Sequence, residues 1–203
     1  MRDASFVPDL DAWEPWRPEE VAARLESMRA PWAIAGGWAI DLYLGEQTRA
    51  HKDIEIAIDR DQAATVWACL DDLDWFAIGR GRAWPLADAP PQLHQTWGRD
   101  RALRRWRLDV LREPWDGGDW VFRRDSRIRR PLAQAIDRNS DAVPFLAPEL
   151  VLLFKAASPR EDDEADLARI IPVLTGGQIE WLAGSLRLVH PTHEWLERLS
   201  GRI

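Results

Sequence analysis

The sequence predicts a mixed α/β fold of the α+β kind, a small mixed β-sheet flanked by helices, with a helical C-terminal part. Three observations predict it. The stretch "DIEIAID" (Asp53 to Asp59) alternates strictly, with Ile54, Ile56 and Ile58 on one side and Asp53, Glu55 and Ala57 on the other, which is the period of a strand. Segments of helical period alternate with strand-like ones over the first part of the chain. Beyond about residue 140 every segment has helical period, so the chain divides into 1–140 and a helical subdomain over 141–203.

Taken in order, "PEEVAARLESMRA" (Pro18 to Ala30) predicts a first helix. Proline sits at its start, glutamates fill its first turn, and Val21, Leu25 and Met28 recur at helical spacing. "PWAIAGG" is a short apolar strand ending at Gly36-Gly37, and "WAIDLYLG" a helix of two turns closed by Gly45. "TRAHKD" is a loop into the alternating strand. "RDQAATVWACLDDL" is a helix and "DWFAIG" a strand, and Arg80 to Asp100 reads as irregular. A strand follows around Arg105 to Leu111, with Leu108 and Val110 inward and Asp109 opposite; "GGDWVFRRD" is a turn and a further strand. Helices are expected over 147–157, 161–174 and 176–188, with a short last one in "THEWLERL".

The 203 residues suit one good-sized domain, and 46% hydrophobic with 30% charged residues suits a soluble globular chain. No apolar run reaches the roughly 18 residues of a membrane span, and the acidic, proline-broken start does not resemble a signal peptide. A cytoplasmic location is expected. The single cysteine, Cys69, excludes an internal disulfide and reads as a small buried hydrophobe. A net charge of −7 argues against a binder of nucleic-acid backbone and leaves room for a cationic small molecule. The thirteen tryptophans read as packing.

Residues i and i+2 of a strand point to the same side, roughly 6–7 Å apart, so Asp53 and Glu55 can converge on one divalent cation or bridge two. The plainer account is a sheet with one wet face. The preceding residues favour a site: Gly36-Gly37 between a strand and a helix lets backbone N–H groups approach a phosphate, and Arg49 lies in a basic loop before the acids.

The stretch "GGWAIDLYLGEQTRAHKDIEI" resembles the signature of the nucleotidyltransferase superfamily that includes DNA polymerase β, a Gly-Gly followed by Asp-x-Asp/Glu on a strand. It is closer to the antibiotic-modifying branch, the aminoglycoside and lincosamide nucleotidyltransferases. "RLDVLREP" resembles the place of that branch's third carboxylate, and "FLAPELVLLFKAASPREDDEADL" the helical part of related members. The likeness spans residues 31–60, 105–125 and 145–170 and leaves 80–104 unmatched. It implies Mg²⁺ on Asp53, Glu55 and Asp109, with Asp109 a ligand or the general base. It implies ATP or another nucleoside triphosphate held by Gly36, Gly37 and Trp38, with Arg49 and Lys155 on its outer phosphates. Trp38 stands where Ser is usual, and Glu55 where Asp is commoner. The implied reaction moves a nucleoside monophosphate, AMP first, to a hydroxyl of a small molecule and releases pyrophosphate, in a monomer or homodimer. An aminoglycoside-like cationic acceptor would suit the acidic balance, with Glu113 and Asp116 as its contacts. Two other readings share these residues: an antitoxin-type enzyme acting on or binding a protein, and a nucleotide-binding fold without catalysis.

Other candidates carry plainer readings. Asp41 caps its helix or pairs with Arg49, and His51 orients the acidic strand. Lys155, one of only two lysines, is either a snorkelling side chain or a chosen ammonium. "REDDEAD" (Arg160 to Asp166) is a solvated helix start or an acidic wall for an amine-rich substrate. His190 and His193 lack the further ligands of a zinc site, and "RDSRIRR" (Arg124 to Arg130) is a basic edge.

Overall fold

The computed structural model describes residues 4–201. Helix α1 (Pro18–Arg24) opens with proline in its first turn and Glu19 and Glu20 behind it. It ends before the Ala30 expected from periodicity. The chain turns at Leu25, whose carbonyl accepts from Met28, and Pro31 disfavours helix at the residue before it. Leu25 and Met28 are buried all the same. Strand β1 (Trp32–Ala35) runs straight into α2 (Gly36–Leu44), which Gly45 closes in the left-handed conformation.

Strand β2 (Glu55–Asp59) leads through a single 3-10 turn into α3 (Ala63–Cys69), and β3 (Leu73–Gly79) follows. The segment read as irregular is not so. It folds as β4 (Arg82–Pro85) and β5 (Gln95–Asp100), with a 3-10 turn over 86–88 between them. Next come β6 (Trp106–Glu113), a small separate hairpin of β7 (Asp119–Val121) and β8 (Arg129–Pro131), the short α4 (Leu132–Ala135), β9 (Ile136–Arg138) and β10 (Pro144–Leu146). Four helices finish the chain: α5 (Pro148–Lys155), α6 (Glu161–Ile170), α7 (Gly176–Val189), started by a Thr175/Gln178 capping box, and α8 (Trp195–Ser200).

The main sheet has eight strands in the order β4-β3-β5-β6-β2-β1-β10-β9. Only β2–β6 and β1–β10 pair in parallel; the sheet is mixed, as expected, and it continues past residue 140 through β10. The central strands are buried on both sides. Ile54, Ile56, Ile58, Leu108 and Val110 fill one layer with the buried faces of α5, α6 and α7 in the same core. Ala57, on the acid side of β2, is also inaccessible, so that side is covered and not a wet face. A second, smaller core joins the N-terminal segment to the far strands through Ala12, Phe76, Ile78, Ala83 and Trp106, with Trp13 and Trp97 packed on it. No helix among the described residues is long and apolar enough to cross a membrane.

Candidate active site

Register brings the acids together. Across four neighbouring strands the pairings Ala35–Glu55, Glu55–Asp109 and Asp109–Trp97 form one row. Adjacent strands lie about 4.8 Å apart, so Glu55 and Asp109 are direct neighbours. Asp53, two residues before Glu55, is exposed just ahead of β2. Burial first, then the charge of Asp53, pushes Glu55 up to about 7. Burial and the Glu55 charge hold Asp109 well above the usual carboxylate range, although hydrogen bonds from Gln95 and Trp97 oppose them.

Those two bonds fix Asp109. Its Oδ2 accepts from Gln95 Nε2 at 2.5 Å and from Trp97 Nε1 at 2.9 Å. Its Oδ1 is buried and has no hydrogen-bond partner among the described residues. One carboxylate oxygen is thus anchored by β5 and the other left open. Replacing Trp97 with Phe keeps an aromatic ring against Trp13 and Trp106 but deletes the donor. A loss of about 1 kcal/mol in stability and a several-fold lower turnover are expected, measured by thermal melting and by product formation.

The row forms one wall of a cavity of about 520 Å³. Gly36, Gly37, Arg49, His51, Lys52 and Asp53 line the part nearest α2. Strands β2 and β6 run side by side away from the acids, and four residues beyond Asp109, about 13 Å along the strand, Glu113 lines the cavity with Arg123 and Arg124. Val151, Phe154 and Lys155, spaced as one face of α5, supply the cover, with Ser158 and Arg160 behind them.

The two glycines serve the side chains around them. Gly36 has φ +60°, and a Cβ there would overlap the Glu55 carboxylate. A Cβ on Gly37 would lie 2.7 Å from the His51 ring and run into the Arg49 guanidinium. Gly36→Ala is therefore expected to cost about 2 kcal/mol, from the left-handed backbone and the displaced carboxylate together. A lowered melting temperature, with loss of any Mg²⁺ response, checks this.

Basic side chains gather beside the acids. Arg49 Nη2 reaches Asp166 at 3.3 Å, and Lys155 Nζ pairs with Asp163 and, at 3.1 Å, with Asp166. Lys155 and then Arg160 act on Glu55 electrostatically, drawing its pKa down against the larger effects of burial and Asp53. The α6 acids do not follow either reading of "REDDEAD" as a whole. Asp163 and Asp166 are buried in ion pairs, whereas Asp162 is exposed on the cavity rim.

The structure gathers Gly36, Gly37, Arg49, Asp53, Glu55, Asp109, Glu113 and Lys155 at one cavity. It does not bring Trp38 or Asp116 there. Trp38 is buried and tilted against His51, with ring centroids 4.5 Å apart, and the Arg17 guanidinium lies over its ring at 4.8 Å; it packs on the loop and does not line this cavity. Asp116 pairs with Arg129 at 2.8 Å on the exposed β7–β8 hairpin. Glu113 is only 1% accessible, and Arg123 reaches it at 3.4 Å. Burial raises its pKa against the pull of Arg123, so it is no free acid for a cationic substrate. His94 nearby is pushed down to about 4 by burial and by Arg123, Arg112 and Arg124.

Asp41 does not pair with Arg49; it accepts from Thr48 at 2.7 Å and shares a 2.6 Å hydrogen bond with His51. His193 uses both ring nitrogens within the fold, on the Ala156 carbonyl and the Trp195 amide. Cys69 is half-buried, 3.7 Å from the Ser27 hydroxyl, instead of fully enclosed. The sequence reading missed Gln95, Trp97, Arg123, Arg124 and Arg160. Arg123 and Arg124 had a signal, a pair of arginines ten residues past Glu113 on a predicted strand.

Among the described residues no three His, Cys, Asp or Glu side chains already form a metal cluster. The donor set still fits a hard divalent cation. Two carboxylates on adjacent strands both have raised pKa values, Asp109 in part through the Glu55 charge and Glu55 in part through that of Asp53; one Asp109 oxygen is unpartnered among the described residues, and Asp53 stands exposed beside them.

Comparison with known proteins agrees with the fold. Residues 19–76, from α1 into β3, match the model of the aminoglycoside-2''-adenylyltransferase family. That stretch carries Gly36, Gly37, Arg49, Asp53 and Glu55; Asp109 and Lys155 lie beyond it. The structure of the lincosamide antibiotic adenylyltransferase LnuA with lincomycin bound is similar at a TM-score of 0.55 and 17% identity, over 77% of this chain and 95% of that one. The solution structure of the antibiotic-resistance factor ANT(2'')-Ia reaches a TM-score of 0.59 at 14% identity, over 91% of this chain and 95% of that one. No curated protein matches the chain.

Proposed function

We propose that this chain is a nucleotidyltransferase of the antibiotic-modifying kind, which transfers AMP from ATP to a hydroxyl of a small molecule and releases pyrophosphate; the family match over residues 19–76 and the fold shared with two antibiotic adenylyltransferases support the reading. The observation that carries the proposal is the adjacent pair Glu55–Asp109 with Asp53 at the mouth, beside Gly36-Gly37 and the Arg49/Lys155/Arg160 group. Asp53, Glu55 and Asp109 would hold Mg²⁺. When bound, the metal supplies charge neutralisation for the attacking and leaving oxygens of an in-line displacement.

The protein's own residues do the rest. Gly36 and Gly37 leave space at the start of α2, where backbone N–H groups face an anion. Arg49, Lys155 and Arg160 balance the charge of the outer phosphates. Asp109, with Oδ2 anchored and Oδ1 open, takes the proton from the acceptor hydroxyl as its oxygen bonds to the α-phosphorus and the bond to pyrophosphate breaks. The half of the cavity toward Glu113, Arg123, Arg124 and Phe154 receives the acceptor. Charge there is balanced by Arg123 and Arg124, so a neutral hydroxyl-rich acceptor fits as well as the cationic sugar that net charge favours.

The test is incubation with Mg²⁺, ATP and a panel of aminoglycosides and lincosamides, following pyrophosphate and product mass, with Asp53→Ala as control. An acceptor gaining one AMP, absent in the control, is the expected result. Tight Mg²⁺-ATP binding with no turnover on any acceptor would favour the fold without catalysis.

A further inference from the structure

The acids at the start of α6 are buried in ion pairs to residues of two other elements, and those partners line the active cavity. Asp166 is 1% accessible. Its carboxylate accepts from Arg49 Nη2 at 3.3 Å and Nε at 3.4 Å, and forms ion pairs with Lys155 Nζ at 3.1 Å and, on its outer side, with Arg169 at 3.7 Å. Asp163, 2% accessible, takes Lys155 and Arg160, and also accepts from the Arg160 backbone N–H at 2.9 Å. Arg49 comes from the loop before β2 and Lys155 from the end of α5, so without Asp166 nothing among the ion pairs joins these two cations to one point.

A long cationic side chain left to itself spreads over many rotamers, and ordering it costs about 1.5–2 kcal/mol. Buried carboxylates on a helix can remove that cost in advance. They cannot leave to be replaced by phosphate, because each is fixed by its backbone and enclosed. We propose that Asp166, with Asp163, is a positioning residue for triphosphate binding. It holds Arg49 and Lys155 in the geometry in which they meet the outer phosphates, and touches no substrate itself. This rests on the nucleotide reading above and assigns the acidic run a role other than substrate recognition.

The experiment measures calorimetric affinities for a non-hydrolysable ATP analogue and for AMP, both with Mg²⁺, in the full chain and in Asp166→Asn. A positioning role acts only on the outer phosphates. The analogue is expected to bind about tenfold more weakly in Asp166→Asn, as for weakened charge-assisted bonds, while AMP changes by less than about twofold. Arg169→Ala, which removes the solvent-side partner of the same carboxylate, changes neither affinity by more than about twofold. In an Arg49→Gln background the Asp166→Asn loss shrinks, and that double variant also serves if the single one does not fold, since it removes both sides of the pair. Equal losses for the analogue and AMP would mean a merely structural role and overturn the inference, as would unchanged analogue binding. Failure of the unaltered protein to bind either nucleotide would instead sink the nucleotide reading, and this inference with it.

Discussion

Asp109→Asn is expected to lower the rate of AMP transfer by about 10³-fold, the middle of what a general base contributes, or about 4 kcal/mol of barrier. The substitution is chosen because it keeps the shape and one anchored oxygen. The amide carbonyl can still accept from Gln95 and Trp97, whose donors hold Oδ2 at 2.5 and 2.9 Å. What is lost is the negative charge and the proton-accepting oxygen at the open position. A neutral amide here also removes a buried acid that burial and the Glu55 charge hold well above the usual carboxylate range, so the variant is expected to melt no lower than the parent. Mg²⁺-ATP affinity should fall by much less than the rate, because Asp53, Glu55, Gly36, Gly37 and the cations are untouched, and most of the loss should appear in kcat. Turnover retained within about tenfold would remove Asp109 from the proton transfer and leave it a metal ligand at most.

The contrast between Asp109 and Asp116 marks what a sequence of this kind discloses. Asp53 and Glu55 were legible because strand period fixes which side a residue faces, and Asp109 through the resemblance carried by "RLDVLREP"; the parallel pairing of β2 with β6, which sets Glu55 level with Asp109, was not. Asp116 and Glu113 were chosen for nearness in sequence to Asp109. Three residues of turn geometry after β6 carried Asp116 out to the β7–β8 hairpin and Arg129 instead. Net charge likewise says nothing of where charge sits. The chain is acidic as a whole, but the cavity half near Glu113 is flanked by Arg112, Arg123 and Arg124, and a ligand meets that local field first.

The segment from Arg80 to Asp100 is the largest piece that was not legible. Its hairpin turn is built on Arg80 and Gly81, both at positive φ, between the paired Gly79 and Arg82. An Arg-Gly pair is a weak form of the Asn-Gly signal for such a turn. Strand β5 itself, "QTWGRD", has no apolar alternation, because Gly98 must admit the side chains of Leu73 and Trp75 and because Gln95 and Trp97 face Asp109. Residues chosen for a site do not read as a strand, and here the site residues were what concealed the strand.

The second large effect is a stability that falls as pH rises when no metal is present. Glu55 in the folded protein is raised to about 7, against an ordinary value of 4.5, and Asp109 is held well above its ordinary range in the same direction. A carboxyl with a raised folded pKa binds its proton more tightly folded than unfolded. Its contribution is therefore complete below about pH 4.5 and is lost progressively up to about pH 7, a change of about 3 kcal/mol for a shift of this size. Melting temperature measured in chelator should decline over that window, and Glu55→Gln, which cannot ionise, should flatten the decline. Mg²⁺ should act with the opposite pH dependence. At pH 8 the paired carboxylates are ionised and bind the cation, which restores the lost stability. At pH 5 protons occupy the same oxygens and the metal adds little. A melting temperature that rose from pH 5 to 7 in chelator, or an equal Mg²⁺ effect at both pH values, would mean that Glu55 is not held protonated by its surroundings in the folded chain. Glu55 would then be ionised beside Asp109 without metal, whereas a base at Asp109 needs the metal to neutralise that charge.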